Sequence, residues 1–477
     1  MNASFFGELL QAISERGRAF IERTRERRGL PGQRSDSLVE LCEELLSGRG
    51  EASGVALARE ILLRYAELTT GPRTAFFEAL ATKFGADRER IAAAVAAWEA
   101  SPSELTAAEL HVAAEPRRQE LFRRLNLAPG GTTALVAMRE QLMDALARRD
   151  DLAPVDADFV HLFSSWFNRG FLVLRRIDWS TPAIVLEKLI RYEAVHEIRD
   201  WADLRRRIDP PDRRCFAFFH PALVDEPLIF VEVALSGRIP DAIAPILADG
   251  REILTPDRAT TATFYSISNC QRGLSGVTFG SFLIKQVAEE ISRELPRLAT
   301  FVTLSPVPGF AAWLAGERAS EHSAAVAAED RAKLALLDRP DWWQEPETAE
   351  ALREPVLRAA AAYFLGARTP RGVPLDPVAR FHLGNGARLE QIDWLADTSP
   401  KGLRQSHGLM VNYLYDLEEI ERNHEAYAES RTVVASSAVC RSLLSLHDAE
   451  SDWFVAEHHA RFTLPWRGRV GSEPKAS

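Results

Sequence analysis

A glycine-bearing turn is the part of this 477-residue chain whose residue types most directly suggest chemistry. The turn, QRGLSG at 271–276, precedes a segment whose apolar residues, among them Val287 and Ile291, have helical spacing. Glycine leaves backbone N–H groups uncovered, and the start of a helix presents further unpaired N–H groups at its positive end. Such a turn can bind an anion such as pyrophosphate without charged side chains. An ordinary strand-to-helix turn has the same pattern, so both interpretations stay open.

Ser305 and His382 are the side chains that could act on a ligand bound near this turn. Ser305 ends a predicted strand directly before Pro306, where side chains often project into a cleft. No G-x-S-x-G motif surrounds it, which argues against a serine hydrolase. His382 ends the segment DPVARFHL, in which Asp376 favours a helix start, and histidine can transfer protons near neutral pH. Each residue could equally be packed and hydrogen-bonded locally.

The elements around these residues predict an α+β domain behind a helical one. ATFYSIS at 262–268 and ATFVTLS at 299–305 indicate strands on either side of the long helix, and apolar runs at 214–223 and 227–235 indicate buried strands. Residues 1–150 are predicted to form consecutive helices, an assembly bundle with a capping box at Ser37–Glu40. A connector to about residue 210 begins the second domain, 151–477. We expect a helical insertion at about 311–380 in that domain and disorder over 467–477.

Five strings, in the same order along the chain, resemble the malonyl-CoA decarboxylase family. They are YSIS at 265–268, QRGLSG at 271–276 followed by GSFLIK, LSPVPGF at 304–310, DPVARFHLGNGA at 376–387 and GLMVNYLY at 408–415. The resemblance implies an N-terminal helical domain joined to a catalytic domain resembling the GCN5-related acetyltransferase fold. It implies decarboxylation of malonyl-CoA to acetyl-CoA and CO2, without a metal or a cofactor beyond the CoA of the substrate. A homotetramer is also implied.

The resemblance also assigns the site residues. Ser305, His382 and Tyr415 are implied to be catalytic, with His382 as the proton donor to the enolate that decarboxylation leaves. CoA is expected on the turn and the residues after it, namely Gln271, Arg272, Gly273, Leu274, Ser275, Gly276, Val277, Thr278, Phe279, Gly280 and Ser281. The chain departs from the family at Thr278, where relatives can carry an acidic residue.

Two other functions fit the same features. A CoA-dependent N-acyltransferase would use the same phosphate turn, since fold does not fix function. A catalytically inert CoA-ester sensor would need neither Ser305 nor His382, so those two residues favour an enzyme.

Composition and charge limit the partners and the cellular compartment that can be expected for this protein. A net charge of −10 argues against nonspecific binding to nucleic acid, and no apolar run approaches the roughly 20 residues of a membrane span. The four cysteines are scattered, which argues against a disulfide scaffold or zinc ribbon and favours a reducing compartment. The ends of the chain carry no convincing targeting signal, so we expect the cytoplasm. The arginines at 205–207, with Arg213 and Arg214, are predicted to form a solvated face.

Overall fold

The computed structural model describes residues 37–47, 50–277, 283–320, 323 and 325–444. The first of these residues form a helical part. Its helices are α1 (Leu38–Leu46), α2 (Glu51–Ala66), α3 (Thr70–Thr82), α4 (Arg88–Ala100), α5 (Glu104–Ala114), α6 (Arg117–Asn126), α7 (Gly131–Leu146) and α8 (Ala153–Trp166). The predicted capping box is present at the start of α1, where Ser37 and Glu40 each accept the other's backbone N–H. Phe122 stacks on Phe159 in the core that joins α6 to α8.

The second part is built on one eight-stranded sheet. Its strands are β1 (Val173–Ile177), β2 (Arg213–Phe219), β3 (Pro227–Ser236), β4 (Thr261–Asn269), β5 (Thr300–Thr303), β6 (Ser305–Pro306), β7 (Arg388–Asp393) and β8 (Met410–Leu414). The order across the sheet is β1-β2-β3-β4-β5-β8-β6, and β7 pairs with β8. Almost every residue of β2 and β3 is buried, as their continuous apolar runs predict.

Helices pack against both faces of this sheet, since alternate residues of β2 belong to two different apolar clusters. They are α9 (Ala183–Tyr192), α10 (Trp201–Ile208), α11 (Ala244–Leu247), α12 (Leu283–Glu294), α13 (Phe310–Ala319), α14 (Ala328–Leu334), α15 (Pro346–Leu365), α16 (Pro377–Gly384), α17 (Pro400–Ser406), α18 (Ile420–Ser430) and α19 (Ser437–Leu444). The predicted fold class, a helical domain followed by an α+β domain, is confirmed. None of the described helices is both long and apolar enough to cross a bilayer.

A gap opens in the sheet where β4 and β5 diverge. The two strands are parallel and pair only from Thr261–Phe264 to Thr300–Thr303, whereas β4 continues to Asn269. The sequence predicted one strand over 299–305, and the structure has β5 and β6 there, interrupted at Leu304. After Leu304 the pairing with β4 has ended, whereas the pairing with β8 continues in one register, Val302 opposite Leu414 and Ser305 opposite Val411. Pro306 cannot donate a ladder hydrogen bond, so β6 is short.

The prediction of a solvated arginine face is wrong for three of its five residues. Arg207, Arg213 and Arg214 are buried. Arg207 pairs with Asp203 and Glu232, Arg214 pairs with Glu294, and Arg213 donates to the carbonyl of Ile246. The arginine run therefore joins α10 and β2 to the rest of the sheet domain, because each buried guanidinium requires acceptors at fixed positions.

Candidate active site

Three elements bring the predicted catalytic residues together at the gap in the sheet. Ser305 begins β6, His382 lies in the last turn of α16, and Tyr415 directly follows β8. The position of His382 is fixed from the start of its helix, since Asp376 caps α16 by accepting the N–H of Ala379 at 2.7 Å. Tyr363 donates a further, longer hydrogen bond to the same carboxylate.

The three side chains form a hydrogen-bonded row. Ser305 Oγ lies 3.1 Å from His382 Nε2, and His382 Nδ1 lies 2.8 Å from the hydroxyl of Tyr415. Ser305 also donates to the hydroxyl of Thr303 at 2.8 Å. Because its own proton is used there, Ser305 accepts from Nε2, and Nδ1 then accepts from Tyr415. This pattern places the proton of a neutral imidazole on the nitrogen that faces the serine.

Burial keeps these groups uncharged. His382 is 3% exposed, and burial lowers its pKa from 6.5 to about 3. Burial also raises the pKa of Tyr415 well above its usual value. The imidazole stacks on the ring of Tyr413, with 4.5 Å between centroids, which holds its plane. Near neutral pH the site therefore contains an imidazole, a phenol and a hydroxyl rather than ions.

A cleft of about 250 Å³ opens onto this row. Its walls come from the two diverging strands and from α16, and they are mostly apolar. The residues lining it are Val195, Ile229, Phe264, Tyr265, Ile267, Asn269, Leu304, Ser305, Pro306, Pro377, Val378, Phe381 and His382. No lysine or arginine is among these described residues, so a carboxylate placed here would lose water without gaining a cation.

A larger groove of about 890 Å³ adjoins the cleft and contains the predicted CoA turn. Ile229, Asn269 and Phe381 line both spaces, so the groove leads toward His382. Gln271, Arg272, Leu274, Ser275, Gly276 and Val277 also line the groove. Gly273 is buried within the turn, while Thr278, Phe279, Gly280 and Ser281 lie outside the described residues. The described part of the turn therefore belongs to a groove that adjoins the cleft lined by Ser305 and His382, while Tyr415 reaches the cleft only through its hydrogen bond to His382.

The turn is suited to binding through its backbone. Residues Arg272–Leu274 form a 3₁₀ turn, and Gly276 has φ +77°, a conformation that favours glycine. The N–H groups of Gly273 and Gly276 donate to no acceptor among the described residues. By contrast, the side chains of Leu274 and Val277 are buried, and the Gln271 amide donates to the carbonyl of Pro227.

Several residues of the site were not predicted from the sequence. Thr303 orients the serine proton, Phe381 and Asn269 stand between cleft and groove, and Glu140 of α7 reaches the groove from the helical part. Phe381 directly precedes His382 in the sequence, and this adjacency could have suggested it. Thr303 is two positions before Ser305, a spacing that places both side chains on one face of a strand and could have suggested it. Glu140 depends on a contact between segments far apart in the sequence, which one sequence does not reveal.

The chain matches two models of one protein family. Residues 84–167 match the malonyl-CoA decarboxylase N-terminal domain, and residues 170–453 match the malonyl-CoA decarboxylase C-terminal domain. Fold and matches together define an enzyme of the carboxy-lyase class. The chain belongs to the malonyl-CoA decarboxylase family, and the resemblance predicted from the five strings is confirmed.

Named relatives and solved structures agree with this assignment. The chain is 38% identical over 413 residues to a mitochondrial malonyl-CoA decarboxylase of Anser anser anser, covering 80% of this chain and 82% of the relative. The one from Rattus norvegicus is 38% identical over 354 residues, 69% of this chain and 72% of the relative.

Two crystal structures of bacterial malonyl-CoA decarboxylases have the same fold. The one from Rhodopseudomonas palustris is 59% identical, has a TM-score of 0.83, and covers 86% of this chain and 100% of its own. The one from Agrobacterium vitis is 56% identical, with a TM-score of 0.81, covering 85% and 99%.

Proposed function

We propose that this enzyme converts malonyl-CoA to acetyl-CoA and CO2, with His382 as the proton donor. The observation that carries the proposal is that the hydrogen-bonded His382–Ser305 pair lines an apolar cleft, which adjoins the groove containing the 271–277 turn. The turn would hold the phosphates of CoA, and the acyl end would enter the cleft.

The apolar cleft favours loss of the carboxylate. The bond between C2 of the malonyl group and its carboxyl carbon breaks, CO2 leaves, and the electron pair becomes an enolate on the thioester. A charged carboxylate is poorly solvated between Phe264, Leu304 and Val378, whereas the departing CO2 is neutral. The barrier falls only if the charge that moves onto the thioester oxygen is better stabilised than the carboxylate. Ser305 is a candidate for this role once its hydroxyl turns from Thr303 to the bound thioester.

His382 then supplies the proton. Its Nε2–H points to Ser305 Oγ, and both residues line the cleft, so a bound acyl group that displaces this hydrogen bond meets the proton. A neutral imidazole can protonate the enolate carbon, because that carbon is a stronger base than the imidazolide left behind. The Tyr415 hydroxyl, which donates to Nδ1, stabilises the negative charge that develops on the ring. The proton is replaced from solvent after acetyl-CoA leaves. The reaction consumes one proton overall and, in our proposal, needs neither a metal nor a further cofactor.

Mass spectrometry of malonyl-CoA incubated with purified enzyme tests the proposal. We expect acetyl-CoA without added metal, ATP or amine, at a rate that EDTA leaves unchanged. Intact malonyl-CoA after long incubation with folded protein would contradict it. Transfer of the acyl group to an added amine would instead indicate an N-acyltransferase, and binding without turnover a CoA-ester sensor.

Two further expectations concern the setting of the enzyme. The family resemblance supports a homotetramer, which light scattering on the purified protein would measure. The four unpaired thiols are compatible with the predicted cytoplasmic location, which fractionation of the source cells would check.

A further inference from the structure

The phosphate turn of the sheet domain rests on helix α7 of the helical part. A Cβ atom built on Gly273 would overlap the carbonyl oxygen of Val136, so the two backbones are in direct contact. Leu274 is buried in the core that α7 shares. The shape of the turn is therefore decided partly by residues outside the domain that carries it.

Arg139 of α7 adds hydrogen bonds that fix the orientation of peptide groups in the turn. Its side chain is buried, and its Nη1 atom donates to both the carbonyl of Gly273, at 2.8 Å, and the carbonyl of Ser275, at 2.7 Å. Its Nε atom donates to Asp156 of α8 at 2.8 Å, which offsets the buried charge and fixes the guanidinium plane. One side chain of the helical part thus holds two carbonyls of the turn, those of Gly273 and Ser275.

The hydrogen bond from Arg139 to the Ser275 carbonyl also fixes the direction of the N–H group in the same peptide unit. A trans peptide is planar, so the C=O of Ser275 and the N–H of Gly276 point in opposite directions. With the carbonyl of Ser275 turned to Arg139, the Gly276 N–H points away from the helical part. Gly276 lines the groove, and this N–H has no acceptor among the described residues.

We infer that Arg139 is a positioning residue for the phosphates of the CoA ester, acting from the helical part through the Ser275–Gly276 peptide. The inference rests on the proposed role of the turn. Arg139 touches no ligand in this scheme. It fixes the orientation of the Gly276 N–H before the ligand binds, so that binding does not have to order the turn. Loss of that order should therefore reduce the affinity for CoA and leave the rate of the chemical step nearly unchanged. The helical part is then a component of the substrate site.

The test replaces Arg139 without leaving its carboxylate unpaired. In the double variant R139M/D156N both charges are removed together, because a half-buried carboxylate without its partner would destabilise the fold for unrelated reasons. The control R118M/D158N removes a different ion pair of the helical part, which is buried and does not contact the turn. R139K is a third variant, which keeps the charge but lacks the forked guanidinium. Calorimetry gives Kd for CoA, and steady-state kinetics give KM and kcat for malonyl-CoA.

For R139M/D156N we expect Kd and KM to rise at least ~10-fold while kcat changes by less than about threefold. R118M/D158N should lower the melting temperature and leave Kd unchanged. R139K should have a Kd between those of the wild type and R139M/D156N. If R139M/D156N does not fold, the Kd of R139K is the test of the inference. An unchanged Kd in the folded double variant, or in R139K if the double variant does not fold, would overturn the inference.

Gly276→Glu separates this inference from the proposed function. If Gly276→Glu weakens CoA binding and the Arg139 variants do not, only the positioning role fails. If none of them affects CoA binding, the turn is not the phosphate site and the proposed mode of binding fails as well.

Discussion

His382 Nδ1 lies 2.8 Å from the hydroxyl oxygen of Tyr415, on the side of the imidazole ring that faces away from Ser305. Both residues are buried, and they are 33 positions apart in the sequence. Because Ser305 donates to Thr303 and accepts from Nε2, the tyrosine donates to Nδ1 and stabilises the tautomer that has its proton on Nε2. A residue that never reaches the cleft can in this way control what the histidine presents to it.

Replacing His382 with Asn should remove the proposed proton donor while keeping a side chain of similar size. General acid–base assistance is worth about 10² to 10⁴ in rate, and we expect kcat to fall by that factor. Affinity for free CoA should persist, because the turn is unchanged. Steady-state kinetics and calorimetry measure the two effects. Turnover close to that of the wild type would mean that another group is the donor.

Tyr415→Phe should leave His382 in place but without its partner at Nδ1. One hydrogen bond is worth about 0.5–1.5 kcal/mol, so we expect kcat to fall by up to about tenfold with little change in Kd for CoA. Tyr65→Phe is a matched control, because Tyr65 is also buried and also makes a 2.8 Å hydrogen bond, to Gln141 in the helical part. Equal kcat in the two variants would argue against a role for Tyr415.

Ser305→Ala should lower kcat by roughly tenfold or more, since the hydroxyl that accepts from His382 Nε2 and can bond the acyl group is lost. KM for malonyl-CoA should rise, whereas Kd for free CoA should not. Ser406→Ala removes a buried hydroxyl that bonds only backbone carbonyls of Gly402 and Leu409, away from the cleft. That control should alter the melting temperature alone, and identical kinetics for both variants would refute the assignment.

Gly276→Glu should place negative charge against the phosphates of CoA. We expect Kd for CoA and malonyl-CoA to rise together by at least ~10-fold, or roughly 1.4 kcal/mol. Because Gly276 has φ +77°, any side chain there adds about 1–2 kcal/mol of backbone strain. Gly276→Gln carries the same strain and bulk without the charge. Calorimetry on both variants therefore isolates the charge effect, and equal Kd values would exclude it.

The free energy of unfolding should reveal the neutral state of His382. Its pKa is about 3 in the folded protein and near 6.5 when unfolded, so below pH 6.5 only the unfolded state takes up the proton. Stability is then lost as the pH falls from 6.5 toward 3, by up to about 1.4 kcal/mol per pH unit. Urea titrations of wild type and His382→Asn at several pH values should show the steeper loss in the wild type. Parallel curves would contradict a buried neutral histidine.

The sequence by itself determined the features that depend on neighbouring residues. Asp376 and Pro377 start α16 because a carboxylate cap and a fixed φ act within one helical turn. Alternating and continuous apolar runs identified β2, β3 and β4 in the same way. The strings that resemble the family are also local, and they were enough to identify Ser305, His382, Tyr415 and the turn as candidates.

The tertiary structure decided which of these residues meet. The sequence did not reveal that the segment 300–306 separates from β4 while it stays paired with β8, because β8 lies more than a hundred residues later. The arginines of α10 and β2 look like a solvated face until the carboxylates that pair with them are placed. Arg139 and Gly273 are 134 positions apart, and their hydrogen bond depends on how two domains pack. Hydrophobic periodicity and residue propensity predict the secondary structure of a single segment. A buried hydrogen bond between distant segments can be predicted only when the position of the partner residue is known.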